Sequence, residues 1–360
     1  MYVKEIRLIN FRNYEDAVFT FSPGLNAVSG KNGVGKTNLL DAVHYLSMCK
    51  SYFTATDQQA IRHDSPFFAL HGTMEEDGAE TKLSCIQQRN ARKVFKINGK
   101  EYERLADHIG LFPSVMISPY DQDYIQGGSE SRRRYFDSVI SQYDHSYLEW
   151  LMQYNKLLQQ RNALLKQSYE LRRLQPADFE VWDERMVLFA ERIFAARSAF
   201  LKDFLPVFRD YFHQIADEGE EAEIRFESDM SSRPLAESLR ESMQRDYYSG
   251  HTSCGPHKDD YLFLDNGYPV KRYCSQGQQK TFLIALKLAQ FAYVRQIKRL
   301  KPLLLLDDVF DKLDLRRVQC LTSLVAEEQF GQVFLTDTHA ERLEEVCSST
   351  GIPCREIRLG

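Results

Sequence analysis

Three glycines crowd into residues 30–35 of the stretch SGKNGVGKTNLL (29–40), and Lys36-Thr37 run straight on into a helical pattern. Gly30, Gly35, Lys36 and Thr37 stand at G-x-x-x-x-G-K-[ST] spacing, and that spacing constrains the fold more than anything else in the chain. Glycines at these positions let backbone N–H groups converge on anionic oxygens that a Cβ would hold away. Leu25 to Ser29 reads as a buried strand entering the loop. Thr37 to Met48 reads as a helix with Leu39, Leu40, Val43 and Leu46 on one side. The helix start adds its positive dipole end to the anion site. Gly30, Lys31, Asn32, Gly33, Val34, Gly35 and Asn38 then form the cradle of a nucleoside triphosphate. In that cradle Lys36 reaches the β- and γ-phosphates and the Thr37 hydroxyl joins Mg²⁺.

A triphosphate site also needs a metal-holding carboxylate at the end of a neighbouring buried strand. LLLLDDVFD (303–311) supplies one, a continuous apolar run ending in acids, as expected of a parallel strand. Asp307 is the Mg²⁺ partner, and Asp308 orients or deprotonates the attacking water. Two such acids are also a common helix cap, but the phosphate loop favours the metal. The guanine-reading Asn-Lys-x-Asp is absent, since Asn155-Lys156 is followed by Leu157-Leu158; ATP is therefore the expected nucleotide. SQGQQK (275–280) opens a long helix with Ser275, Gly277 and Gln278, a second anion-ready turn. DKLD (311–314) follows the acidic pair, and TDTH (336–339) ends the next strand with His339 near the γ-phosphate. This chain order is that of an ABC-type ATPase head. In that class Ser-x-Gly-Gln faces the nucleotide of a second subunit, so one copy of each motif per chain implies an isologous dimer around two ATPs, opened and closed by the γ-phosphate.

At 360 residues the chain is long enough for two or three lobes. Short strands with turns at EEDG and INGK fill 67–117. Helical spacing then runs from Ser131 to about Tyr169 and, after QPAD, from about 179 to 216. Strand texture returns in YLFLDNGYPV around an Asn-Gly turn. The expected architecture is an α/β ATPase head at 1–120 and 255–360 with a helical lobe, 121–254, inserted in it.

The net charge of −5 confines any nucleic-acid surface to a local basic patch. Arg132-Arg133-Arg134 is the candidate DNA contact, each cation that neutralises a phosphate adding affinity. Three adjacent residues cannot share one helix face, so a solvated helix start with one interior pair stands beside that reading. Lys271-Arg272 carries the same ambiguity. No aromatic-interleaved basic stripe stands out along the sequence, which favours backbone contact over base stacking. His251, Cys254 and His257 lack the ligand count and spacing of a closed zinc site, and a loop positioning the signature helix is preferred. Seven cysteines at irregular spacings, none paired as C-x-x-C, suit the reduced thiols of a cytosol. MYVKEIRLIN has no signal-like apolar stretch. The longest apolar run, 282–294, is interrupted by Lys287 and Gln290 and is too short to span a membrane. A soluble, cytoplasmic chain is expected.

LINFRNY (8–14), PGLNAVSGKNGVGKTNLLDAVHYLS (23–47), SRRRYFD (131–137), YNKLLQQRNALLK (154–166), SCGPHKDD (253–260), SQGQQKTFLIALKLAQ (275–290) and LLLLDDVFDKLD (303–314) together resemble the RecF family of bacterial recombinational-repair ATPases, relatives of SMC heads. The blocks at 154–166 and 253–260 weigh most, because other ABC ATPases do not share them; about 167 to 245 resembles nothing placed. The resemblance implies an ATP-dependent dimer on duplex, gapped or junction DNA that hydrolyses ATP slowly. It further implies work with RecR and RecO to load RecA onto gaps covered by single-strand-binding protein. Arg12 matches the early arginine that approaches the nucleotide. Gly30 to Thr37 match the phosphate loop, and Ser275, Gly277 and Gln278 the signature read in trans. Asp307 and Asp308 match the acidic pair and His339 the switch position. The chain departs from the family pattern at Gln276, where Arg is frequent, at Asp311, where Ser is frequent, and at Pro119-Tyr120-Asp121-Gln122, where Pro-Glu-Asp-Leu is usual; Gln122 is the candidate Q-loop residue. A transporter ATPase would carry Leu-Ser-Gly-Gly-Gln and a Glu after Asp307. A nuclease-associated defence ATPase would carry a further carboxylate cluster, and an SMC protein a long coiled coil.

Overall fold

Ile6 and Leu8 turn inward while Glu5 and Arg7 face solvent, the alternation of a strand with one buried face. Leu25–Ser29 and Leu303–Asp307 are buried along their whole length, as parallel strands covered on both faces must be. A computed structural model gives the fold for residues 1–217, 219–310, 315–326 and 330–360; DKLD at 311–314, including Asp311, lies outside these described residues.

In chain order, β1 (Tyr2–Phe11), β2 (Tyr14–Thr20) and β3 (Leu25–Ser29) precede the helix α1 (Lys36–Met48). Strands β4 (Phe67–Glu76), β5 (Ala79–Gln88), β6 (Val94–Ile97), β7 (Lys100–Glu101) and β8 (Ser114–Ile117) follow. Next come α2 (Gln122–Gln126), α3 (Ser129–Ser141), α4 (His145–Glu170), α5 (Glu180–Ile215), β9 (Ala222–Glu227) and α6 (Leu235–Ser249). The hairpin β10 (Asp260–Asp265) and β11 (Tyr268–Pro269) leads through α7 (Val270–Tyr273) into α8 (Gln276–Lys298). The chain finishes with β12 (Leu303–Asp307), α9 (Leu315–Ala326), β13 (Val333–Asp337), α10 (Ala340–Thr350) and β14 (Cys354–Arg358).

These elements form two compact units. The first comprises Met1–Gln122, Asp210–Gly219 and Ser275–Gly360. It holds an antiparallel sheet, β2-β1-β4-β5-β6-β7, and a parallel sheet, β14-β3-β13-β12-β8. Helix α1 packs against strands of both sheets. Leu39, Leu40, Val43 and Leu46 share one core with Ile6, Leu8 and Phe11 of β1, Leu305 of β12 and Phe334 of β13. Every residue of α1 except Thr37 and Asn38 is buried, so the one-sided helix read from the sequence is in fact enclosed. Each fully buried leucine there contributes about 1.5–3 kcal/mol of transfer free energy, which fixes the loop at the head of α1.

The second unit comprises Asp123–Arg209 and Glu220–Cys274. This unit differs from the expected lobe, 121–254, in running on to Cys274 and in lacking 210–219. Strand β10 pairs antiparallel with β9 in a three-stranded sheet, which ties 255–274 to the lobe and makes it more than helical. Residues 210–219 at the end of α5 belong to the first unit, where Phe212 packs on Phe282 of α8. Asn266 and Gly267 both have positive φ, 48° and 79°, as a two-residue hairpin turn requires. Two buried arginines brace this unit. Arg161 on α4 pairs with Asp183 and Asp246, and Arg197 on α5 pairs with Asp137 and Asp259. The 251–257 loop attaches to α4 and α6: Thr252 N–H donates to Asn162, Ser253 N–H donates to Asp246, and His257 bonds the Tyr154 hydroxyl.

Cys347 and Cys354, at the end of α10 and the start of β14, are joined in a disulfide, a correction to the reading of all seven cysteines as reduced thiols. The helix-to-strand turn brings their Cα atoms to 5.7 Å, within bridging range; Cys49, Cys85, Cys254, Cys274 and Cys320 stand outside any disulfide. Among the described residues no helix is long and apolar enough to cross a membrane.

Candidate nucleotide-binding site

Parallel pairing aligns three strand ends. Ser29 of β3 stands opposite Asp337 of β13, and Thr336 of β13 opposite Asp307 of β12. The carboxyl edge of such a sheet is where ligands bind in open α/β folds. From Ser29 the chain turns through the glycine loop. Gly35 has φ 119°, and a Cβ there would stand 2.7 Å from Asn13 Nδ2 and 2.8 Å from the Tyr14 hydroxyl. Only glycine satisfies both the left-handed backbone and the close approach. Gly35 caps α1 without a side-chain hydrogen bond, and the first turn carries no acid, so no side chain of the cap competes with an anion for those N–H groups. Lys36 is 5% exposed, and its Nζ donates to the carbonyls of Gly30 at 2.7 Å and Lys31 at 3.2 Å.

The Thr37 hydroxyl lies 2.9 and 3.0 Å from the two carboxylate oxygens of Asp307, to which it donates across 270 residues of sequence. Thr336 donates to Asp307 Oδ1 at 2.9 Å, and its own hydroxyl oxygen accepts the Asp308 N–H at 3.0 Å. Burial lifts the Asp307 carboxyl to about 6, with Asp308 adding to the lift and Thr336, Thr37 and Lys36 opposing it. A desolvated carboxylate beside a hydroxyl, both hard oxygen ligands, fits Mg²⁺, which also draws ligands from phosphate and water. Asp308 has φ +46°, a left-handed conformation uncommon for a non-glycine residue and frequent at functional sites. His339 is exposed at the N-cap of α10, and its backbone N–H donates to Asp337 Oδ1 at 2.8 Å. Arg342 holds the other Asp337 oxygen at 2.9 Å.

Asn13 and Tyr14, in the turn from β1 to β2, latch the loop from the side. Asn13 Nδ2 donates to Val34 O at 2.8 Å, the Tyr14 hydroxyl to Gly35 O at 3.1 Å, and Asn38 Nδ2 to Asn13 Oδ1 at 2.7 Å. Sequence reasoning passed over both residues, although they sit inside LINFRNY; only their polar character in a turn marked them. Arg12, φ +57°, donates through one nitrogen to Asp41 at 2.8 Å and Ser51 at 2.9 Å. Its buried Nε has no acceptor among the described residues.

Ser275 caps α8 in a reciprocal box, its Oγ accepting from Gln278 N at 3.2 Å while Gln278 Oε1 accepts from Ser275 N at 2.8 Å. That box stiffens the helix start and leaves Ser275 and Gln276 exposed. Beneath Gly277 lies Arg317, which pairs with Asp217 at 2.8 Å. Gln122 bonds Gln279 of α8, so the candidate Q-loop residue touches the signature helix. One residue back, buried Asp121 pairs with Lys287 of α8 at 3.2 Å, and Tyr52 bonds both.

The arginine triplet lies in the second unit. Arg132 makes a two-pronged pair with Asp260 at 2.8 and 2.9 Å, and Arg133 donates to the Asp259 carbonyl at 2.6 Å. Arg134 is exposed and pairs with Glu130 one turn back. Adjacency on a helix splits them as expected, and only Arg134 faces solvent broadly.

Residues 2–356 match the model of the RecF/RecN/SMC N terminal domain. A DNA replication and repair protein RecF from Bacteroides thetaiotaomicron is 44% identical over 360 residues, covering 100% of this chain and 97% of that protein. The RecF of Flavobacterium johnsoniae is 42% identical over 350 residues, covering 97% and 98%. A solved structure of the recombination mediator protein RecF-ATPrS in RecFOR pathway superposes with TM-score 0.87 at 32% identity, over 99% of this chain and 96% of that one. An Smc head bound to the C-winged helix domain of ScpA superposes with TM-score 0.56 at 14% identity, over 96% and 92%, which shows the shared ABC-type head fold alone.

Proposed function

The chain belongs to the RecF family, within the RecF/RecN/SMC N-terminal-domain group, and from that premise we propose that it is an ATP-switched DNA-binding protein of recombinational repair. The observation that carries the reading is the Thr37–Asp307 contact, which joins phosphate loop and acidic strand in one oxygen-lined site. ATP is the substrate. Lys36, held on loop carbonyls, is the cation for the β- and γ-phosphates, and the uncapped start of α1 faces the same anion. Thr37 and Asp307 would hold Mg²⁺, which would neutralise charge on the phosphate oxygens. Asp308 takes the proton of the attacking water as its oxygen bonds to the γ-phosphorus and the bond to ADP breaks. Arg12 contacts the nucleotide, and His339 reads the γ-phosphate from the end of β13.

Ser275, Gly277 and Gln278 serve the nucleotide of a second protomer; the exposed, prestiffened start of α8 supports that role. Two chains thus close around two ATPs, and slow, DNA-stimulated hydrolysis releases them. The DNA is duplex, gapped or junction, with exposed Arg134 the remaining contact of the triplet. RecR and RecO are the partners through which the bound dimer helps load RecA at gaps, in the cytoplasm. Phosphate release from ATP, with and without gapped duplex, tests the reading. Slow release by the wild type, quickened by DNA, and ATP binding without release by Asp308→Asn are expected. Wild type that never releases phosphate, or Asp308→Asn that matches it, would sink the assignment.

A further inference from the structure

Tyr169 meets Tyr247 and Tyr248, almost eighty positions further along the sequence, on one surface of the second unit. Tyr169 lies at the end of α4, and Tyr247 and Tyr248 at the end of α6, two helices that pack together. Their rings touch edge to face. The centroid distances are 5.5 Å for Tyr169–Tyr247, 6.5 Å for Tyr169–Tyr248 and 5.2 Å for Tyr247–Tyr248. Tyr169 is 52% exposed and Tyr248 69% exposed, and Leu171 beside them is 67% exposed. Aromatic rings dominate cores and interfaces because of the area they bury, so a solvent-facing trio marks a contact surface.

Four cations lie within four residues of these tyrosines in the chain. Lys166 stands one turn before Tyr169 and lies against Gly250, while Arg245 stands one turn before Tyr248. Arg172 and Arg173 follow Tyr169 after Glu170 and Leu171, and both are exposed. Arg173 donates to Gln175 and Arg245 to Ser253, neutral partners both. The neighbouring acids Glu241 and Asp246 are held by Arg233 and Arg161, which leaves Glu170 as the exposed acid in this stretch. No basic stripe interleaved with aromatics runs along the sequence; the fold builds one from residues 166–173 and 245–248.

We propose that this surface is a stacking site for single-stranded nucleic acid, with tyrosine ring faces taking unpaired bases and Lys166, Arg172, Arg173 and Arg245 taking phosphates. Every base has a π-face, so such a site binds a strand without reading its sequence. A fully paired duplex hides its base faces and gains only from the cations, which leaves the exposed rings unexplained. An acidic peptide likewise needs the cations and not the stacked rings. The proposal rests on the DNA-binding reading above and adds that the second unit contacts the unpaired strand.

Fluorescence anisotropy on the full chain tests it, with labelled oligo(dT) and, separately, blunt duplex in the presence of ATP. Tyr169→Ala/Tyr248→Ala is expected to weaken oligo(dT) binding at least about fivefold. Tyr169→Phe/Tyr248→Phe, which keeps the rings, holds wild-type affinity, and neither pair of changes alters duplex binding. Unchanged oligo(dT) affinity in the alanine variant overturns the proposal, as does an equal loss on duplex or an equal loss in the phenylalanine variant. Wild type that binds duplex but not oligo(dT) removes this site alone; wild type that binds neither removes the parent reading as well. A poly-glutamate peptide bound in place of oligo(dT), and lost in the alanine variant, would assign the surface to an acidic protein and overturn the proposal.

Discussion

Replacing Asp307 by asparagine is expected to make the nucleotide-free protein more stable and catalytically dead. Asp307 is 2% exposed, and burial, the largest cause, raises its carboxyl from 3.8 to about 6. The unfolded chain titrates it near the lower value. Between the two values the folded state holds the extra proton, so stability falls as pH rises through that window and the penalty is complete above it. At about 1.4 kcal/mol for each tenfold change in proton affinity, the buried charge costs on the order of 3 kcal/mol at neutral pH. Asparagine keeps the shape and an oxygen that accepts from Thr37 or Thr336, but carries no charge to desolvate. Urea unfolding followed by circular dichroism, at about pH 7.5 and about pH 4, reads the difference. Asp307→Asn should be the more stable at the higher pH by up to about 3 kcal/mol, with the gap closing at the lower. It should also lose Mg²⁺-dependent phosphate release. An asparagine variant less stable than wild type at the higher pH, or a gap indifferent to pH, would refute the view that this carboxylate is kept charged at a cost in stability.

Four further outcomes follow from the geometry. Gly35→Ala forces a Cβ onto Asn13 and Tyr14 at a left-handed φ; a loss of about 1–3 kcal/mol in unfolding free energy and of ATP binding by calorimetry is expected. Asn13→Ala removes the hydrogen bond to Val34 O and the one accepted from Asn38. With each worth about 0.5–1.5 kcal/mol, urea unfolding should show a loss of about 1–3 kcal/mol, and titration calorimetry a weaker affinity for ATP. Arg197→Ala strands the carboxylates of Asp137 and Asp259 in the second unit and should cost about 3–5 kcal/mol by chemical denaturation. Arg134→Ala, which breaks only an exposed pair with Glu130, should stay within about 0.5 kcal/mol.

The phosphate loop and the acidic strand were legible because each is contiguous and its chemistry depends on local spacing. Gly30 to Thr37 needs one loop and one helix start, and Asp307 one apolar run. What the sequence concealed depends on contacts between distant segments. Asn13 and Tyr14 act on Val34 and Gly35 only because β1 and β2 turn beside the loop. The enclosure of α1 follows from a second sheet, whose pairing no periodicity reveals. The lobe boundary moved because β9, in a stretch without a clear pattern, pairs with β10. Cys347 and Cys354 gave no sign of pairing, since spacing alone does not say that a helix end and a strand start will meet. Arg132 looked like a DNA contact until Asp260, 128 positions away, paired with it. Residues 166–173 and 245–248 looked unrelated until α4 and α6 packed together.

Sedimentation velocity of the wild type and Lys36→Ala, with and without ATP and gapped duplex, tests the central claim most directly. Dimers that form on the DNA only with ATP, and only in the wild type, are the result expected. Wild-type protein that remains a monomer off the DNA, with ATP saturating and salt moderate, would contradict the account.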